Sequence, residues 1–228
     1  MDVAERWRPD GCVQLGDLGS WDSVSRYAHD PKLVLSLKDE TRGVNRALDQ
    51  LDRALARGGC APGNKWLLEG NHELRIDAYM LERAAEARFA VDWRKLLRLR
   101  RRGWKVIPYK ESLVFGEARI SHDFGRAGVN AARQSLTDVG SNVVFGHTHR
   151  LQVMYQGQQC GKRHVGATLG WLGDPEYIGY RHRDLVRRDS QLGFGVLEFT
   201  ASGEFWLQAV PIVGGRCVIN GRIYGGKQ

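Results

Sequence analysis

The chain has 228 residues, 42% hydrophobic and 26% charged, with 34 Lys and Arg against 26 Asp and Glu for a formal net charge of +8. Enough apolar side chains are present to exclude a disordered tail, and no run of about 18 apolar residues exists to span a bilayer. The stretch Met1 to Arg8 carries two acids and two arginines where a leader would need an apolar run, so the expectation is an intracellular, cytoplasmic protein with no membrane partner. The positive balance favours phosphate-bearing partners. Four cysteines, Cys12, Cys60, Cys160 and Cys217, lie too far apart in sequence to clip a zinc ion or frame a small disulfide scaffold, and are expected as free buried thiols.

In chain order, Gly11-Cys12-Val13-Gln14-Leu15 reads as the first strand. Val44, Ala47, Leu48, Leu51 and Leu55 recur at three- and four-residue steps, which predicts an amphipathic helix stopped by Gly58. Lys65 to Leu68 is the second strand. A helical pattern then runs from about Ile76 to Leu99, as one helix or two, and becomes strongly cationic from Arg94 to Arg102. Leu113 to Phe115, Ala118 to Ile120 and Asn142 to Phe145 are further strands. Beyond Leu151 the chain turns β-rich, with Ser202-Gly203 and Asn220-Gly221 as hairpin turns. The alternation predicts an α/β layer structure in one domain, 1–228, with a motif-bearing part, 1–150, and a β-rich part, 151–228, sharing one core.

Four of these strands run into polar residues of one kind: Gly16-Asp17, Gly70-Asn71-His72-Glu73, Ser121-His122-Asp123 and Gly146-His147-Thr148-His149. Ligands of open α/β sheets bind outside the carboxyl ends of the strands, so these distant residues are expected to converge. Carboxylate, amide and imidazole together suit Mn, Fe or Zn better than an all-oxygen calcium site or a thiolate zinc site. The glycines before Asp17, Asn71 and His147 allow sharp turns and close approach to an ion.

In this order, and over about Gly11 to Arg150, the motifs resemble those of the calcineurin-like metallophosphoesterases, with a weaker likeness of residues 16–27 to the phage and prophage branch of that family. The resemblance implies two mixed β-sheets packed as a sandwich with helices outside, residues 151–228 supplying much of the second sheet. It implies two divalent transition metal ions, Mn first, with Asp17 bridging them, Asn71, His122 and His147 on the second and His149 on the first. His72 would stand beside the scissile phosphate, with Glu73 as its orienting group. The two ions would lower the pKa of a shared water for in-line attack on a phosphomonoester or phosphodiester, with nucleic acid or a nucleotide favoured as substrate by the charge. The family's opening Asp-x-His, on a strand before the Gly-Asp strand, has no counterpart here, which leaves the first metal site incomplete. A late start codon, a fragment completed by another chain, or a divergent protein with one metal or none would each account for it; His29 and His164 are the substitutes on offer. Two other readings stay open: a catalytically impaired nucleic-acid-binding module, and a phosphoprotein phosphatase.

Arg75, Arg126 and Arg150 flank the motifs and are the candidates to grip a substrate phosphate. The run Arg94 to Arg102 reads first as a solvated helix face, although Trp93 and Trp104 beside it would suit a nucleic-acid strand. Trp171 reads as core or rim and His182 as surface.

Overall fold

A computed structural model describes residues 1–157, 161–174, 176 and 189–226; Cys160 and His182 lie outside them. The protein is a mixed α/β structure with several β-sheets and two compact units. The division falls between Tyr109 and Lys110, so the described residues after 151 group with 110–150, apart from Glu176, which groups with the first unit.

The first unit contains α1 (Asp2–Arg6), β1 (Cys12–Gln14), α2 (Leu37–Gly58), β2 (Lys65–Leu68), α3 (Glu73–Arg83), α4 (Trp93–Leu96) and β3 (Trp104–Ile107). Its three strands form a parallel sheet in the order β1-β2-β3, with Val13 opposite Trp66 and Leu67 opposite Val106. Ser36 caps α2 by accepting from the Asp39 amide, and Val44, Leu48 and Leu55 form its buried stripe. The helix stops one residue later than expected: Gly59, at φ 89°, is the left-handed cap. Gly58 has a different task, because a Cβ there would collide with the Ala4 carbonyl where α1 crosses.

The pattern from Ile76 to Leu99 breaks into α3, a short 3-10 turn and the single turn α4. Leu97 and Leu99 are both buried. Two residues apart on a continuous helix they would point to nearly opposite sides; a left-handed Arg98, at φ 56°, lets both enter the core. There they meet Trp21, Leu48, Ile76, Trp93 and Trp104. Asp52 satisfies this core's polar edge, accepting from Lys65 Nζ at 2.7 Å, Trp104 Nε1 at 3.0 Å and Arg102 at 2.9 Å.

The second unit contains β4 (Leu113–Phe115), β5 (Ala118–Ser121), α5 (Ala131–Val139), β6 (Val143–Phe145), β7 (Leu151–Gly157), β8 (Arg163–Leu169), β9 (Gly193–Phe199), β10 (Phe205–Pro211), β11 (Arg216–Ile219) and β12 (Arg222–Gly225). A five-stranded sheet has the order β4-β5-β6-β8-β7, parallel across β5, β6 and β8 and antiparallel at both edges. Helix α5 lies on it, and Gly166 of β8 lacks the Cβ that would strike the Ala132 carbonyl at 2.6 Å. The β-rich part thus contributes two strands to this sheet, while β9–β10 and β11–β12 pair as separate hairpins. The expected turns hold: Asn220 and Gly221 join β11 to β12 with φ 49° and 75°.

Cys12, Cys60 and Cys217 are free thiols, and burial pushes Cys12 up to about 12, which leaves it inert at neutral pH. Among the described residues no helix is long and apolar enough to cross a membrane.

Candidate functional site

In the first unit, Asp17 follows β1 and Asn71-His72 follows β2, at the carboxyl ends of neighbouring parallel strands. Glu73, at the start of α3, is fully buried and fastens both loops together. Its Oε2 accepts from the Asp17 amide at 3.0 Å and the Gly70 amide at 2.8 Å, and its Oε1 from the Leu18 amide at 2.8 Å. Burial first, and then the Asp17 carboxylate, push Glu73 up to about 7, against the pull of these three amides.

Asp17 sits at φ 53°, a conformation that costs a non-glycine residue of order 1–3 kcal/mol. Its Oδ1 accepts from the His72 amide at 3.0 Å, and its Oδ2 lies 3.8 Å from His72 Nε2. The other ring nitrogen of His72, Nδ1, is 3.2 Å from the Gly19 carbonyl. A carbonyl can only accept, so Nδ1 carries the proton in this hydrogen bond. His72 is therefore oriented by Gly19 and Asp17, while the carboxylate of Glu73 is engaged with the backbone of the two loops. Asn71 is half-buried beside them.

Gly70 leaves no room for a side chain: an added Cβ would overlap the Asp17 carboxylate and come within 2.6 Å of its amide. Gly70→Ala is expected to destabilise the chain by about 1–3 kcal/mol, as overpacking does, measured by urea unfolding.

In the second unit His122 follows β5, and His147 and His149 follow β6. The Gly146 amide donates to the His122 carbonyl at 3.1 Å, which holds the two strand ends in register. The His122 and His147 rings meet edge to face with centroids 5.2 Å apart. Thr148 donates to the Gly146 carbonyl at 2.6 Å around His147 at φ 59°, the pattern of the rare, strained γ-turn. His149 follows at φ 57° and stacks on Trp171 with centroids 5.0 Å apart. Burial, then His147, His122 and Arg150, bring His149 down to about 4, so it is a neutral imidazole at pH 7.

Trp171 is the site feature that the sequence reading left as core or rim. It follows β8, the next parallel strand after β6, so the strand-end rule that gave the histidines reaches it too. The three nominated phosphate grips all have acidic partners. Arg75 is buried against the Ser20 carbonyl and Asp22, which also meets His29 at 2.8 Å; Arg126 pairs with Asp138 at 2.6 Å; Arg150 reaches Asp189 at 3.2 Å. His164 lies near the amino end of β8, away from the strand ends that bear His122 and His147.

No protein-family model matches the chain. It is similar to the Gene 54 protein of Mycobacterium phage L5, 27% identical over 237 aligned positions that cover 95% of this chain and 87% of that protein.

Proposed function

We propose that this chain is a metal-dependent phosphoesterase of the calcineurin-like kind, with that family's architecture. The observation that supports it best is strain kept at non-glycine positions. Asp17, His147 and His149 all take left-handed backbone conformations at the carboxyl ends of parallel strands, next to Asn71, His72 and His122. Strain of this kind persists only where the surrounding structure holds it, and it clusters at active sites.

In this reading each unit brings its own donors for divalent transition metal ions: Asp17 and Asn71 in the first, and His122, His147 and His149 in the second. The donor set fits Mn, Fe or Zn, and a neutral His149 offers its lone pair without first losing a proton. When bound, such ions neutralise phosphate charge and lower the pKa of water. The chain's own groups do the rest. Gly19 fixes the His72 ring through Nδ1–H, so Nε2 is the atom turned to the leaving oxygen, and the ring delivers a proton from it when it reacts as the imidazolium. Arg150, half-buried next to His149 and paired with Asp189 through one guanidinium nitrogen, binds the phosphate through the rest of its fork; Glu73 keeps the loops in place.

Purified chain incubated with Mn²⁺ is expected to retain metal by elemental analysis after desalting and to hydrolyse bis-p-nitrophenyl phosphate in an EDTA-sensitive manner. A chain that retains no Mn, Fe or Zn under these conditions overturns the reading. Retained metal without turnover would point instead to the non-catalytic binding module.

A further inference from the structure

Eight of the chain's 34 Lys and Arg, and the single acid Asp92, lie between residues 88 and 105. The flanking tryptophans cannot act as stacking platforms for this run, because Trp93 and Trp104 are 0% and 4% exposed in the first unit's core. What they do is anchor it. Leu97 and Leu99 are buried with them, and the Arg102 guanidinium clamps the turn by donating to the Leu97 carbonyl at 3.0 Å and pairing with Asp49 and Asp52 at 2.6 and 2.9 Å. Buried and exposed residues therefore alternate, and Arg98, Arg100 and Arg101 are held outward on a fixed backbone. Among the described residues none of these three has an acidic partner. They line an open cavity of about 760 Å³.

A smaller cavity of about 260 Å³ shares Asp92, Arg94 and Lys95 with the first and is lined by Arg88 and Phe89. Phe89 is 78% exposed, with the Arg88 guanidinium 4.5 Å from its ring centroid. An exposed ring next to a row of unneutralised arginines is an arrangement that a purely acidic peptide has no use for. A strand of nucleic acid uses both parts, its phosphates on the arginines and a base on the ring.

We propose that the Arg98–Arg101 turn and Phe89 form a sequence-independent docking surface for single-stranded nucleic acid. The proposal names the partner that the phosphoesterase would act on and rests on that reading for the strand being a substrate, whereas binding itself needs no turnover. The backbone of the surface is preorganised, so little loop ordering opposes association.

The test is fluorescence anisotropy of the full chain with a labelled oligothymidylate of about 20 nucleotides, titrated across salt concentration. The triple variant Arg98→Ala/Arg100→Ala/Arg101→Ala is expected to bind at least roughly tenfold more weakly and to flatten the log–log salt slope by about 2, for three lost phosphate contacts on a single strand. Phe89→Ala should lose about fivefold or more at unchanged slope. All variants should unfold at the wild-type temperature and cleave bis-p-nitrophenyl phosphate like wild type, so failed binding and failed chemistry are read separately. Triple-variant affinity within twofold of wild type, equal competition by polyglutamate per unit charge, or tighter binding of a duplex of the same length each overturns the proposal.

Discussion

Asp17→Asn is expected to reduce Mn²⁺-dependent turnover of bis-p-nitrophenyl phosphate by at least about 100-fold, since loss of groups that merely support a metal ligand already costs 10–100-fold. The same substitution should leave the metal-free chain as stable as wild type, or more so. Asn retains an oxygen for the His72 amide, which now reaches Asp17 Oδ1 at 3.0 Å. It also removes a negative charge that pushes Glu73 upward. A residue whose loss abolishes activity while relieving the fold is the signature of a functional site held against stability. Turnover in Asp17→Asn close to that of wild type would remove Asp17 from the metal site and with it the proposed chemistry. Kinetics at saturating Mn²⁺, elemental content and urea midpoints decide it together.

The other large effect is structural. Glu73→Ala leaves the amides of Asp17, Leu18 and Gly70 without their acceptor, at a cost of about 1–3 kcal/mol for each one that stays buried and unsatisfied. Allowing for partial rehydration of the exposed loop edge, we expect a loss of about 3–5 kcal/mol in urea unfolding, with the metal-free chain as reference. Glu73→Gln presents one oxygen and one amide in place of two oxygens and should fall between wild type and alanine. The pH dependence separates charge from shape. Glu73 has a folded-state value of about 7 against 4.5 in the unfolded chain, so the folded state holds its proton more tightly between the two. Its contribution is present in full below about pH 4.5 and is lost as pH rises through about 7. The wild-type urea midpoint should therefore fall more between pH 5 and pH 8 than that of Glu73→Gln. Equal slopes would show that Glu73 keeps its charge throughout this range.

Periodicity and turn chemistry are local signals, and the elements they specify were legible. The stripe Val44, Leu48, Leu55 became the buried face of α2, and Asn220-Gly221 became a hairpin turn. The polar residues after β1, β2, β5 and β6 were equally visible, because a glycine and a donor side chain at a strand end form a pattern within a few residues. What spacing could not carry was which backbone groups those side chains would serve. Glu73 reads as a neighbour of His72, yet its carboxylate spans to the amides of Leu18 and Asp17, 55 and 56 positions away. Arg75, Arg126 and Arg150 read as free cations near a phosphate, but their acids Asp22, Asp138 and Asp189 arrive from elsewhere in the fold.

The cationic stretch after Asp92 shows the same division. Its composition suits a polyanion, but a regular helix would have spread the arginines around its circumference. The tertiary core demanded Trp93, Leu97, Leu99 and Trp104 together, broke the helix at a left-handed Arg98 and turned Arg98, Arg100 and Arg101 to one open surface. Sequence alone determined which chemistry the chain carries and at which strand ends it sits, because those follow from side-chain type and local geometry. Tertiary structure decided which groups are satisfied, strained or left facing water, because hydrogen bonds and burial depend on partners that the chain brings together only when it folds.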